Sequence, residues 1–161
     1  MRKKKGFLQI VSLLLLLFSG SSLFSEISKG DFAVGLNFPG FGARYFLSDK
    51  MSVELKGQYE TDIIVGGLRG YYYFSPVSKY LLFAGLEGDF VSFEGDESKG
   101  SGIAGELFVG GEYFFTEKFS FQMDFGPAYI SVKDDDTSES VAGLEYVVNF
   151  GINYYFGKGG K

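Results

Sequence analysis

Carboxylates are the side chains in this sequence best supplied for chemistry. Glu87 and Asp89 stand two residues apart, and Glu54 and Glu106 can be paired with one another only through a fold. Such couples work as acid and base when their surroundings keep one protonated and the other ionised. The chain has no His and no Cys, so the usual general base near neutral pH, the thiol nucleophile and the commonest transition-metal ligands are absent. Two acidic stretches, Glu94-Gly95-Asp96-Glu97 and Asp134-Asp135-Asp136 with Glu139, offer the oxygen donors that Ca²⁺ and Mg²⁺ prefer. Their spacing matches no EF-hand loop, and they read as solvated loops. No glycine-rich phosphate loop and no basic patch is present. The reading therefore assigns no catalytic, cofactor-binding or metal residues and no cofactor, and it takes the carboxylates as structural charge.

The elements that position those carboxylates begin after a targeting segment. Met1-Arg2-Lys3-Lys4-Lys5 is a basic start, and Phe7 to Phe18 is apolar except for Gln9 and Ser12. That run is shorter than the ~20 residues a spanning helix needs, and small residues follow it. Residues 1–25 are expected to be a removed signal peptide, with cleavage after Ser25 or Ser22, leaving a domain over 26–161. Its removal takes away Arg2, Lys3, Lys4 and Lys5 and leaves 11 basic against 20 acidic residues, a net charge of −9. A surface of that sign opposes nucleic-acid binding, where neutralising phosphate supplies most of the affinity.

Beyond the signal the chain alternates, and the alternation restarts after each turn signal. In the last segment Ala142, Leu144, Tyr146, Val148, Phe150, Ile152, Tyr154 and Phe156 share one apolar face. Glu145, Asn149, Asn153 and Tyr155 share the other. Seven earlier segments read the same way, from Phe32/Val34/Leu36/Phe38 to Phe119/Phe121/Met123/Phe125. Opposite their apolar faces stand Arg44, Glu54, Lys56, Gln58, Arg69, Glu87, Asp89, Glu106, Glu112, Gln122 and Asp124. Eight strands, an even count, make the smallest membrane barrel. Short turns at 48–50, 75–79 and 116–118 fall on one rim. Pro39-Gly40, Thr61-Asp62 and the longer stretches 95–101 and 133–140 fall on the other.

Such a sheet could turn its apolar face inward around a ligand, as a soluble lipocalin-like carrier, or outward to lipid. Aromatic residues gather near both rims of the apolar face, as amphipathic rings do at membrane interfaces. The polar face also carries Phe46, Tyr71, Tyr73, Leu81, Phe83, Phe108 and Phe114, which a soluble barrel would leave in water. Both observations favour an all-β, eight-stranded, antiparallel, up-and-down transmembrane barrel.

The segment Asn149-Phe150-Gly151-Ile152-Asn153-Tyr154-Tyr155-Phe156 resembles the terminal assembly signal of bacterial outer-membrane barrels: polar, any, Gly, any, any, hydrophobic, any, aromatic. It departs from that pattern in being followed by residues 157–161. With it the whole domain resembles the small OmpA/OmpX-type barrels. The resemblance implies a place in the outer membrane of a Gram-negative-type envelope and recognition by the barrel-assembly machinery through Asn149, Gly151, Tyr154 and Phe156. Enzymatic barrels of that membrane use a His, which this chain lacks, so the expectation is no catalysis.

Strand register sharpens the charge reading. With Asp49 at the centre of the first short turn, Leu47 opposes Met51 and Arg44 opposes Glu54; with a two-residue turn at Thr61-Asp62, Glu54 opposes Arg69. Closing 75–79 as a loop puts Gly67 opposite Glu87, one diagonal step from Arg69. The expectation is a lumen belt Arg44–Glu54–Arg69–Glu87 of alternating sign, since enclosed charges must be paired. Function is then expected to be structural or surface-interacting, with outer-membrane lipid around the wall and an outside partner met by 95–101 and 133–140. A narrow pore is the alternative.

Overall fold

The computed structural model describes residues 27–76, 78–95, 99–135 and 139–156. The expected signal segment and the tail after Phe156 lie outside the described residues. Eight strands follow in order: β1 (Phe32–Phe38), β2 (Phe41–Ser48), β3 (Met51–Glu60), β4 (Ile63–Tyr73), β5 (Tyr80–Glu94), β6 (Lys99–Phe114), β7 (Phe119–Asp134) and β8 (Ser140–Phe156). Each is antiparallel to the next, and β8 bonds back to β1, closing a barrel. Stepping round the wall through paired residues leads from Tyr155 by way of Ala33, Arg44, Glu54, Arg69, Glu87, Glu106 and Ala128 to Glu145 on the starting strand. That stagger tilts the strands, by roughly 35–45° in barrels of this kind.

The two-residue alternation turns inside out relative to a soluble protein. Leu36, Leu55, Leu68, Leu86, Leu107 and Leu144 are exposed on the outer face, while Arg44, Glu54, Arg69, Glu112 and Asp124 are buried within. The seven apolar residues of the polar face join Tyr155 and Ala33 in a plug at the short-turn end. Ile27 completes it from below, its N–H bonded to the Pro76 carbonyl at 3.2 Å.

Two connections differ from the sequence expectation. Arg44 does oppose Glu54, but Ser48 pairs with Met51 and Leu47 is an extra residue in a bulge. The hairpin closes on two residues, the tighter solution, and a bulge absorbs the odd one. Between β4 and β5, Gly67 opposes Asp89 and Arg69 directly opposes Glu87. The connection there is two residues longer than expected, because Pro76 has no N–H to give a ladder and its carbonyl receives Ile27. The two long loops are also shorter than expected. Pairing runs on to Glu94↔Lys99 and Lys133↔Ser140, so Lys99 to Ser101, Lys133, Asp134 and Ser140 are strand.

The strands lengthen round the barrel, from seven and eight residues in β1 and β2 to sixteen and seventeen in β7 and β8. The short-turn end is level, so the opposite rim slopes and stands roughly 20 Å higher at β7–β8 than at β1–β2. The β1–β8 ladder stops at Phe38↔Phe150 and the β2–β3 ladder at Phe41↔Gly57. Above those points β8 and β3 face each other across a gap two strands wide.

The wall is pressed closest to itself at Gly126. A Cβ there would collide with the backbone of Leu107 and Phe108, whereas one at outward-facing Gly66 would meet nothing within 4 Å. Gly126→Val is expected to destabilise the barrel by about 1–3 kcal/mol, as overpacking does, and Gly66→Val by less than about 0.5 kcal/mol. Urea unfolding midpoints measured in lipid vesicles check the difference.

Candidate functional site

The lumen gathers the sequence's charged residues into two clusters. Arg44, on β2 and 1% exposed, is the centre of the lower one. Its Nε donates to Glu54 Oε2 at 2.7 Å, Nη1 to Tyr73 OH at 2.8 Å and to Glu112 Oε2 at 3.2 Å, and Nη2 to Gln122 Oε1 at 2.6 Å. The guanidinium also lies 4.1 Å from the Tyr71 ring centroid, a favourable cation–π distance. Glu112 is held in turn by Tyr155 OH at 2.7 Å, Asn153 Nδ2 at 3.0 Å and the Ser120 hydroxyl. Glu54 accepts from Tyr71 OH at 3.1 Å and Asn37 Nδ2 at 3.0 Å.

Arg69, on β4, is the centre of the upper cluster. Its Nη2 donates to Asp124 Oδ1 across the lumen at 2.7 Å, and its Nε lies 2.6 Å from Glu87 Oε2, an ion pair whose N–H is not aimed along the contact. The Phe108 ring centroid is 4.2 Å from the guanidinium. Asp124 is further bonded by Gln122 Nε2 at 2.9 Å and Asn149 Nδ2 at 3.0 Å. Lys56 pairs with Glu87 and stands 3.7 Å from Asp89.

The four residues of the expected belt thus all face the lumen, but the belt is not continuous. Glu54 and Arg69 oppose one another in register, yet among the described residues no ion pair joins them. Arg69 reaches Asp124 on β7 instead, because in so narrow a barrel a long side chain spans to the far wall. Nothing in strand pairing could have foretold that contact. The tyrosine hydroxyls around Arg44 were legible in principle, since Tyr71 and Tyr73 share the inward parity of Arg69. Of the two nominated carboxylate couples, Glu87 and Asp89 share Lys56. Glu54 and Glu106 lie in different clusters, Glu106 bonded to Asn149 Nδ2 at 3.3 Å. Among the described residues no three acidic side chains form a group fit for a metal ion.

The assembly-motif residues divide between the two faces of β8. Asn149 and Gly151 point inward, and a Cβ on Gly151 would strike Asn37 Oδ1. Tyr154 and Phe156 point outward at the short-turn rim, their rings 4.8 Å apart, with Tyr154 against Phe119 and Phe156 against Phe32.

The closed eight-stranded barrel has a solved counterpart in the crystal structure of the N-terminal β-barrel domain of Pseudomonas aeruginosa OprF. The two superpose with a TM-score of 0.50 at 16% sequence identity, over 81% of this chain and 100% of that one. The fold is that of a small OmpA-type barrel. No protein-family model matches the sequence, and no curated protein matches it. The likeness to the OprF domain is therefore one of fold, and the lumen clusters stand on this chain's own geometry.

Those clusters predict unequal couplings. Arg69→Ala is expected to cost about 3–5 kcal/mol, as when one partner of an enclosed pair is removed. In double-mutant cycles Arg69 with Asp124→Asn should show coupling above about 1 kcal/mol and Arg69 with Glu54→Gln below about 0.5 kcal/mol. Urea unfolding from vesicles measures both, and equal couplings would restore the continuous belt.

Proposed function

We propose that this chain is an integral outer-membrane barrel with a closed lumen and a structural or surface-interacting role, without catalysis. The observation that carries the reading is the inversion of its faces. The wall presents a continuous band of exposed Leu, Val, Ile and Phe between two sets of aromatic rings, which only a hydrocarbon surround makes favourable. Closure of the backbone ladder, which a membrane demands of any strand structure, supports the same reading.

A conducting role is opposed by the packing. Arg44, Tyr73, Phe83, Phe114 and Tyr155 fill the cross-section at 0–1% exposure, and an eight-stranded interior is only wide enough for side chains to fill. Held to one another and to amide and hydroxyl groups, the lumen charges serve cohesion. An outside partner would meet the protein through segments 95–101 and 133–140, at the loop ends of the longest strands.

Two experiments test this function. Detergent-extracted protein from the outer-membrane fraction should run faster unboiled than boiled on a gel and give no step conductance in a planar bilayer. Recovery in the soluble periplasmic fraction with unaltered mobility would overturn the membrane reading, and discrete conductance steps would overturn the closed lumen.

Assembly through the terminal motif generates a further expectation. Tyr154→Ala with Phe156→Ala should lower the yield of heat-modifiable barrel several-fold, while deleting 157–161 should leave it unchanged. Normal assembly of the double variant alongside failure of the deletion would move the signal to the tail.

A further inference from the structure

The lumen changes character at its loop end. Above Glu87 the inward positions of β4 to β8 include Val65, Val91, Phe93, Ala104, Ile130, Val132 and Val147, all half-buried, with exposed Glu145 on β8 beside the gap. Lower down, the inward positions are buried and polar or aromatic. Beside inward-facing Gly143 a Cβ would meet nothing within 4 Å, so there is open space along this wall. The wall itself is incomplete, because β1 and β2 stop short and leave the gap between β8 and β3.

The floor of this compartment has an unbalanced charge. Two cations, Lys56 and Arg69, stand against four carboxylates, Glu87, Asp89, Glu106 and Asp124. Glu106 is 7% exposed and opposes Glu87 across the β5–β6 ladder. Asn149 bonds one of its oxygens, while its Oε1 and Asp89 Oδ1 have no hydrogen-bond partner among the described residues. Enclosed carboxylate oxygens without donors are unfavourable, and a donor-rich cation relieves them.

The gap is marked on both sides. Tyr59 on β3 and Tyr146 on β8, at 78% and 82%, are the most exposed large hydrophobic side chains of the described residues. Tyrosines so placed sit at a membrane interface with the ring in the apolar layer and the hydroxyl at the headgroups. On the membrane reading given above, on which this inference rests, the Pro39-Gly40 turn lies below that level. The gap therefore opens sideways into the outer leaflet.

We propose that the loop-end compartment binds a single-chain amphiphile with a primary ammonium head, admitted from the outer leaflet between β8 and β3. The ammonium, with three donors and no acceptor, sits against Glu106 and Asp89. The alkyl chain lies along Val65, Val91, Ile130 and Val147 and leaves through the gap, so that one molecule answers both the charge of the floor and the apolar wall above it. A second copy of this chain is a poorer occupant of the gap. Antiparallel pairing of two β8 edges would turn one barrel upside down in the membrane.

The test uses the mature protein in lipid nanodiscs, with dodecylamine as probe and dodecanoate and dodecanol as comparators. Titration calorimetry and native mass spectrometry should show one dodecylamine per monomer, bound at least tenfold more tightly than either comparator. Asp89→Asn with Glu106→Gln should weaken binding at least tenfold. Val147→Trp, which fills the compartment without touching its charge, should abolish binding, while Glu117→Gln in the exposed short turn at the opposite end of the barrel should leave it unchanged. Each variant should retain heat-modifiable mobility. Equal uptake of amine and acid, indifference to the carboxylate and Val147 substitutions, or a dimer that takes up no amine would overturn the proposal. Recovery of the protein in the soluble fraction would instead sink the membrane reading.

Discussion

Arg44 and Arg69 lie where water is excluded, and a guanidinium can remain there only if acid groups and hydroxyls replace its hydration. Arg44 takes Glu54, Glu112, Tyr71, Tyr73 and Gln122 from four other strands, and Arg69 takes Glu87 from β5 and Asp124 from β7. Each arginine thereby fixes the separation of walls that the backbone ladder alone would leave free to breathe. The ladder determines which residues are neighbours round the barrel. The arginines determine what crosses it, and a slip of one residue in any strand would turn their partners out of the lumen.

This division also explains what could be read from the sequence. Alternation sorted the residues into two faces, and the aromatic residues near both rims, with the rings carried on the polar face, identified which face lines the lumen. Arg44↔Glu54 and Glu54↔Arg69 followed from hairpin geometry alone. The direct pairing of Arg69 with Glu87 did not, since the turn before Tyr80 is set by a contact distant in sequence, Ile27 on the Pro76 carbonyl. Neither Arg69–Asp124 nor Lys56–Glu87 lies on adjacent strands. Such contacts depend on barrel diameter and side-chain reach, which no pairing pattern contains.

The sloping rim was legible in part. The bareness of Pro39-Gly40 beside the long β7–β8 hairpin follows from segment lengths. The gap it leaves between β3 and β8 follows only once the barrel is closed, because closure brings the shortest hairpin next to the longest. The same geometry sets the half-buried Val65, Val91 and Val147 apart from the packed aromatics below: the wall that would shield them is missing on one side.

The uneven strand lengths have a consequence for how the barrel opens. β1 is the shortest strand, seven residues held between β2 and β8. The chain just before it carries Ile27 into the plug and bonds Gly30 N–H to the Phe46 carbonyl at 2.9 Å. Backbone amide exchange in such a molecule is graded, fastest where a cooperative unit has the fewest bonds to break. Here the thinnest stave of the wall and the stopper in its base are one continuous piece of chain. When that piece swings out, the seam and the floor are released in the same event.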